Sequence, residues 1–529
     1  MTDSLTRPRN VVLCLIVMVA AARADDWPQW GGCDGRAMAS GEKGLPESFV
    51  PGKKRPQTGI DPTTTRNVRW GARLGHYAYG NLTVAGGRVF VGTDDSALRG
   101  DPRLKRTRGG MVHCFDEATG ALLWRLVVPK RRQFPRNALY DHQHLGVCSS
   151  PTVDGDRVYV MTCATEIVCL DAKGLTNGND GPFTDEGQYL VGKGKPPVTL
   201  QPTDADIIWR YDLIDELGVV PHDVPSCSVL VHGRFLYTSS SNGVNRAHTK
   251  MMNADATSFV VLDKMTGKLV ATDDHLIGER MWHCQWSPPS CGTVGGRTLI
   301  FFGGGDGFCY AFEPIAKAAR KPLHLKKVWA YDCNPPRYRY RDGKPIPYYD
   351  GDKRRKRGGN ISDGTYVGPS QVIATPAFCN GRIYVAIGQD PLHGRGRGML
   401  SCIDAATGTE VWSYDGIDRS ISTVAVSDGL AYAPDIAGRL HCLDADTGKL
   451  HWMHDTRTET WGSPLVADGK VYYGTKKHLW TLAHGTALRV LSKVSLGSPL
   501  YGTPVAANGV LYVASNRYLW AVERTAAGQ

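Results

Sequence analysis

The stretch His441-Cys-Leu-Asp-Ala-Asp-Thr-Gly-Lys-Leu-His-Trp452 decides the fold, because copies of its core recur along the chain. Asp116 to Trp124 (DEATGALLW), Asp404 to Trp412 (DAATGTEVW) and Asp444 to Trp452 (DADTGKLHW) share one frame. Asp263 to Ala271 (DKMTGKLVA) keeps all of that frame but the tryptophan. The apolar flanks alternate as half-buried strands do. Between them Thr-Gly forms a tight turn, since glycine reaches positive φ without steric cost and the preceding Asp bonds the turn's amides. Each copy is a hairpin that ends in a large aromatic.

Outward from these hairpins, a second signal repeats eight times: a Gly turn followed by a Val/Tyr-rich strand. The turns are Ala85-Gly-Gly-Arg88, Asp154-Gly-Asp-Arg157, His232-Gly-Arg234, Gly295-Gly-Arg297, Asn380-Gly-Arg382, Asp428-Gly-Leu430, Asp468-Gly-Lys470 and Asn508-Gly-Val510. Each unit continues through a third strand to the repeat Asp or its substitute, and usually to a fourth strand carrying Trp124, Trp209, Trp329, Trp412 or Trp452. Four short strands per unit, recurring every ~40–50 residues, predict an all-β, eight-bladed β-propeller. The last unit, Gly502 to Arg524, stops after three strands, and Asn67-Val-Arg-Trp70 is read as its missing fourth, so that the chain ends close the ring and leave no open sheet edge.

Arg7 and Arg9 precede an apolar run, Val11 to Ala21, and Ala22-Arg23-Ala24 offers a small-x-small cleavage site. Residues 1–24 are therefore expected to be a signal peptide, residues 25–66 an irregular arm lying over the body, and residues 67–529 the propeller. The apolar run is short for a membrane span, no later stretch approaches ~20 apolar residues, and Cys14 is not placed as a lipid-attachment cysteine. A periplasmic or secreted, monomeric protein is expected. Loss of Arg7, Arg9, Arg23 and Asp3 would bring the formal net charge from +11 to +9, so the mature chain stays basic. Cys114, Cys169, Cys402 and Cys442 stand two residues before a repeat Asp and read as small buried hydrophobes, whereas Cys163 with Cys169, or Cys284 with Cys291, are candidate cross-hairpin pairs.

The frame Asp-x-x-Thr-Gly-x-x-x-Trp resembles the tryptophan-docking repeat of pyrroloquinoline-quinone-like β-propellers, over roughly residues 67–524. The eight-unit arrangement resembles quinoprotein alcohol dehydrogenases and the propeller lipoprotein of outer-membrane assembly. Trp27-Pro-Gln-Trp30, Trp282-His-Cys-Gln-Trp-Ser-Pro288, Gly304-Gly-Asp-Gly307 and Gly388-Gln-Asp-Pro-Leu-His-Gly394 look like the secreted quinone-repeat proteins of planctomycete-type bacteria. The resemblance implies two readings of function. One is a binding or assembly scaffold with no catalytic role; the other is a dehydrogenase that uses pyrroloquinoline quinone and calcium to oxidise an alcohol or sugar. Against the second, the chain has neither an adjacent cysteine pair nor a Cys-x-x-Cys-His haem site.

In a propeller, ligands gather where the segments before each first strand converge with the loops between second and third strands. If the Gly turns mark the opposite face, that rule collects Asp141, His142, His144, His222, Asp223, Asn242, Asn245, Arg246, His248, His283, Gln285, Asp306, Gln389, Asp390, His393 and Asp435. Tyr79, Trp282, Trp286, Trp461 and Tyr501 join them as aromatic walls. For a quinoprotein, Asp/Asn oxygens would hold calcium and Asp306 or Asp390 would be the general base. A transition-metal site would instead draw on His142, His144, His222, His248, His283 and His393, with His142-Gln-His144 alternating on a strand face. Gly303 to Gly307 precedes no helix, so it is read as a tight loop and not as a phosphate cradle.

Arginine-rich insertions suggest an acidic partner at the cell envelope, either a protein or an anionic polymer, with nucleic acid disfavoured in that compartment. Arg337, Arg339 and Arg341 interleave with tyrosines as polyanion binders do, and Arg354, Arg355 and Arg357 extend the run. The plainer alternative is an ordinary solvated loop. Leu175 to Asp206 reads as surface decoration.

Overall fold

The computed structural model describes residues 25–55, 59–98, 100–348 and 366–524; the expected signal segment and Arg354, Arg355 and Arg357 lie outside the described residues. Eight antiparallel sheets follow one another along the chain. The first blade is built from Thr83–Ala85, Arg88–Asp94, Gly110–Asp116 and Leu122–Val128, and the second from Thr152–Asp154, Arg157–Met161, Glu166–Asp171 and Ile207–Asp212. Corresponding strands begin at Leu230, Ser290, Ala377, Ala425 and Leu465 for the third to seventh blades. The eighth joins Val505–Ala507, Val510–Ala514 and Tyr518–Val522 to Val68–Arg73, with Trp520 opposite Gly71, so the two ends of the chain share one sheet and close the ring. The first strand of each blade, from the first blade to the eighth, contacts the first strand of the next, which puts these strands around the axis.

The repeat stretch supplies both the turn and the joint between blades. Asp444 Oδ1 accepts from Thr447 N–H at 2.8 Å and Thr447 Oγ1 at 2.7 Å, which holds its carboxyl below the usual range. Trp412 Nε1 donates to Ala445 O in the following blade at 3.0 Å, and its ring lies against Gly448, where a Cβ would come within 2.6 Å of the indole. Gly448 has φ +72°, so turn and close approach both require glycine at this position. Equivalent indole bonds run from Trp70 to Glu117 O, Trp124 to Ala172 O, Trp209 to Lys264 O, Trp329 to Ala405 O and Trp452 to Gly485 O. The third blade, with Ala271 at this position, instead gains an extra strand, Leu323–His324, parallel to Leu269–Thr272.

The arm does not simply lie over the body. It threads the Gly-turn end of the axis, bonding first strands in turn: Val153 N–H to Pro28 O, Cys291 N–H to Asp34 O, Phe378 N–H to Gly35 O, Val426 N–H to Ala37 O and Val466 N–H to Met38 O. Ala39–Ser40 adds a parallel strand inside the seventh blade. Arg36 is fully buried and donates to Val229 O, Pro289 O and Trp30 O, so it ties the plug to blades three and four. The backbone carbonyls of Pro28, Asp34, Gly35, Ala37 and Met38 thus satisfy N–H groups of first strands.

Two further readings need correction. His142 to His144 lie in a turn, not on a strand, with Asp141 at φ +34° and His144 at φ +60°. Leu175 to Asp206 is also more than decoration: it contains the helix Glu186–Tyr189, and Leu190 is buried with Leu98 and Leu104 of the neighbouring blade. Cys14 aside, all thirteen cysteines are free thiols, so neither candidate pair is bridged, and Cys114, Cys169, Cys402 and Cys442 are fully buried.

Candidate functional site

Three segments on the face opposite the Gly turns are knitted together by backbone bonds. Pro221 pairs with Asn242 and Gly243 with Cys284, while Val244 N–H reaches His283 O at 2.8 Å. Gly243 allows this approach: a Cβ there would lie 2.6 Å from His222 Cβ and 2.9 Å from His283 O. The consequence is that His222, between blades two and three, His248, in the third blade, and His283, before the fourth, meet with one ring nitrogen each inside a 4.8 Å group.

The chemistry of the three rings is set by their surroundings. His222 Nδ1 lies 2.8 Å from Val244 O, so Nδ1 carries the proton and Nε2 keeps its lone pair. His248 Nε2 and His283 Nε2 are 3.0 Å apart. Metal–nitrogen bonds of about 2.0–2.1 Å at angles near 90–110° place ligand nitrogens about 3.0–3.4 Å from one another, so this spacing suits a first-row transition metal. Trp286 packs edge-on against His283 at 4.9 Å and donates to Val224 O at 3.3 Å, which fixes the ring from behind.

A cavity of about 220 Å³ opens beside the cluster, and His142, Asp223, Arg246, Asp390 and His393 also line it. Asp223 and His248 both hold left-handed backbone, φ +58° and +59°, a conformation costly for residues other than glycine and one that recurs at functional sites. Burial, reinforced by Asp390, pushes the Asp223 carboxyl up to about 7. Burial likewise raises Asp390 to about 6. Two carboxyl groups that hold protons near neutrality, beside three imidazoles, make a site able to bind a cation or move a proton.

Of the residues read from the sequence, His142, His222, Asp223, Arg246, His248, His283, Asp390 and His393 come together here, with Trp286 behind His283. The others serve elsewhere. His144 turns to Lys130, 2.9 Å away, and to Arg108. Asn242 bonds Val220 N–H and Asn253 O, Asn245 holds the turn to Thr249, and Gln285 spans Gly303 O and Gly305 N–H. Gln389 donates to Pro369 O and Tyr348 O. Asp306 accepts from Tyr310 at 2.6 Å and Arg280 at 3.1 Å, a loop-closing role like that of Asp435 toward Arg439 N–H two blades on. Trp461 stacks on Tyr501 at 4.1 Å in a separate aromatic group with Tyr79. Sequence reasoning missed Gly243 and the Val244 carbonyl, whose roles exist only once three loops are joined.

The basic loop is partly folded inward. Arg339 pairs with Asp332 at 2.5 Å and lies 5.0 Å over the Trp282 ring, Arg337 reaches Asp415 at 3.0 Å, and Arg341 is exposed.

Comparison with known proteins agrees with this architecture. The family profile described as outer membrane protein assembly factor BamB matches residues 108–177 and 396–491. No curated protein matches the sequence. Among solved structures, a europium-containing methanol dehydrogenase superimposes with TM-score 0.52 at 14% identity, covering 93% of this chain and 89% of its own. BamB from Moraxella catarrhalis gives 0.49 at 12%, covering 87% and 98%, and the quinohemoprotein alcohol dehydrogenase from Comamonas testosteroni 0.46 at 15%, covering 97% and 83%. At such identities the likeness is one of fold. With eight blades closed by an N-terminal strand, this chain is an eight-bladed β-propeller, parts of which, residues 108–177 and 396–491, match the assembly-factor profile.

Proposed function

We propose that this propeller is a binding protein of the cell envelope that works through a transition-metal ion in its mouth, held by His222, His248 and His283. The observation that supports this reading is the convergence of three ring nitrogens within 4.8 Å, one of them on a ring whose tautomer is fixed by Val244 O. Three protein ligands leave coordination positions open, as in metal sites that accept an exogenous ligand. His142, Arg246 and His393, together with the carboxyls of Asp223 and Asp390, line the adjoining cavity and offer both donors and acceptors to a polar ligand that completes the metal's shell. The expected signal segment, the basic charge and the absence of a membrane-crossing helix among the described residues are consistent with an envelope location.

The quinone- and calcium-dependent dehydrogenase fits these residues poorly. Asn242, Asn245 and Gln285, the amide oxygens suited to calcium, are spent on backbone and side-chain bonds within the loops. The cavity of about 220 Å³ is also smaller than the ~300–1,000 Å³ usual for small-molecule sites.

The test is metal loading. The mature protein, stripped with chelator and titrated with Co²⁺, should develop a visible ligand-field spectrum at one equivalent. The absence of stoichiometric binding, or a saturable complex with the quinone in its place, would overturn the reading.

A further inference from the structure

We propose that Asp171, Asp180 and Asp206 form a second, separate cation site that takes calcium, at the base of the insertion between the third and fourth strands of the second blade. One carboxylate oxygen from each lies within 4.8 Å of the others. A calcium shell with Ca–O distances of 2.3–2.6 Å is about 4.6–5.2 Å across, so the three oxygens can share one ion. All the donors are oxygen, unlike the imidazoles of the mouth, and hard donors select a hard cation.

The carboxylates are held together at a cost that an ion would remove. Asp206 is fully buried; its Oδ2 accepts from Asp180 N–H at 3.0 Å and its Oδ1 has no hydrogen-bond partner, although the group faces two other carboxylates. Like charges so placed are stable only when protonated or bridged by a cation. Asn177 braces the arrangement, its Nδ2 donating to Asp180 Oδ2 at 3.1 Å and to Asp171 Oδ2 at 3.4 Å.

The location has a structural consequence. The same insertion carries Phe183, Gln188 and Tyr189 into the wall of a cavity of about 730 Å³ that Lys130 and Arg131 also line. Calcium at the base of the insertion would hold that wall in place, so the larger cavity would depend on calcium for its shape.

The experiment is calorimetric titration of the chelator-stripped mature chain with CaCl₂, with MgCl₂ in parallel, alongside thermal melts. One calcium site and a rise in melting temperature are expected, with magnesium at least about tenfold weaker. Asp180→Asn, at an exposed position, removes one of the repelling charges, so the chelated protein should melt no lower than the unsubstituted chain while calcium weakens at least about tenfold, and Asp206→Asn should weaken calcium by as much. His283→Ala should leave calcium binding intact, which separates this site from the mouth. No calcium binding, equal binding of magnesium, full binding by Asp180→Asn or loss of calcium in His283→Ala would each overturn the assignment.

Discussion

His248 Nε2 stands 3.0 Å from His283 Nε2, although 35 residues and most of a blade separate them in the chain. Two imidazoles at this distance share one proton, and a metal ion that takes both lone pairs replaces it. The contact depends on Gly243, because a side chain there would wedge between the segments carrying His222 and His283.

Replacing a cluster histidine should therefore act on metal and not on fold. His222→Ala and His283→Ala are each expected to lower Co²⁺ affinity at least about tenfold, whereas His144→Ala, beside Lys130, should leave it unchanged. The titration of the ligand-field band measures this. Equal loss in all three variants would show that the metal is bound elsewhere.

The joint between blades can be weighed with two glycines. Gly448→Ala faces both φ +72° and a contact of 2.6 Å with the Trp412 ring; Gly469→Ala faces φ +65° with open space around it. Backbone strain alone costs about 1 kcal/mol, so Gly469→Ala should lose about that much and Gly448→Ala about 2–4 kcal/mol. Urea denaturation should resolve the difference.

Arg36 closes the axis from the Gly-turn end, and burial lowers its guanidinium to about 10. Arg36→Met leaves Pro289 O and Trp30 O without this donor, a loss of about 1–3 kcal/mol for each acceptor, while Val229 O keeps its bond from Thr152 Oγ1. A drop in melting temperature of several degrees, with faster proteolysis near the arm, is the expected result; an unchanged melt would mean that the plug contributes little.

Asp141 makes stability depend on pH. Burial raises its carboxyl from 3.8 to about 7, so between these values the folded chain binds a proton that the unfolded chain has released. Its contribution to stability is thus undiminished below pH 3.8, declines as pH rises toward 7 and stays low above that. Asp141→Asn should flatten this slope and stabilise the protein at pH 8, on the order of 1–3 kcal/mol, relative to its effect at pH 4. Denaturation curves at the two pH values measure the difference.

The sequence by itself determined the propeller. Turns, alternation and the Asp/Thr-Gly/Trp frame are local, and they repeat often enough for eight blades and the closing Val68–Arg73 strand to be read directly. It also gave rise to the expectation that polar residues converge on one face if the Gly turns mark the other. What only the tertiary structure decided is which of those residues meet. Asp306 and Asp390 look alike in sequence, yet one closes a loop onto Arg280 and Tyr310 while the other lines the cavity. His142 and His144, two residues apart, are parted by left-handed backbone at His144. The arm looked irregular because its bonds go to first strands of different blades and so leave no period in its own sequence. Asp171, Asp180 and Asp206 likewise meet only because the insertion folds back on its own blade. Blades follow from short-range patterns, but a site at the axis is a sum of contacts between segments far apart in the chain, and no local pattern encodes their distance.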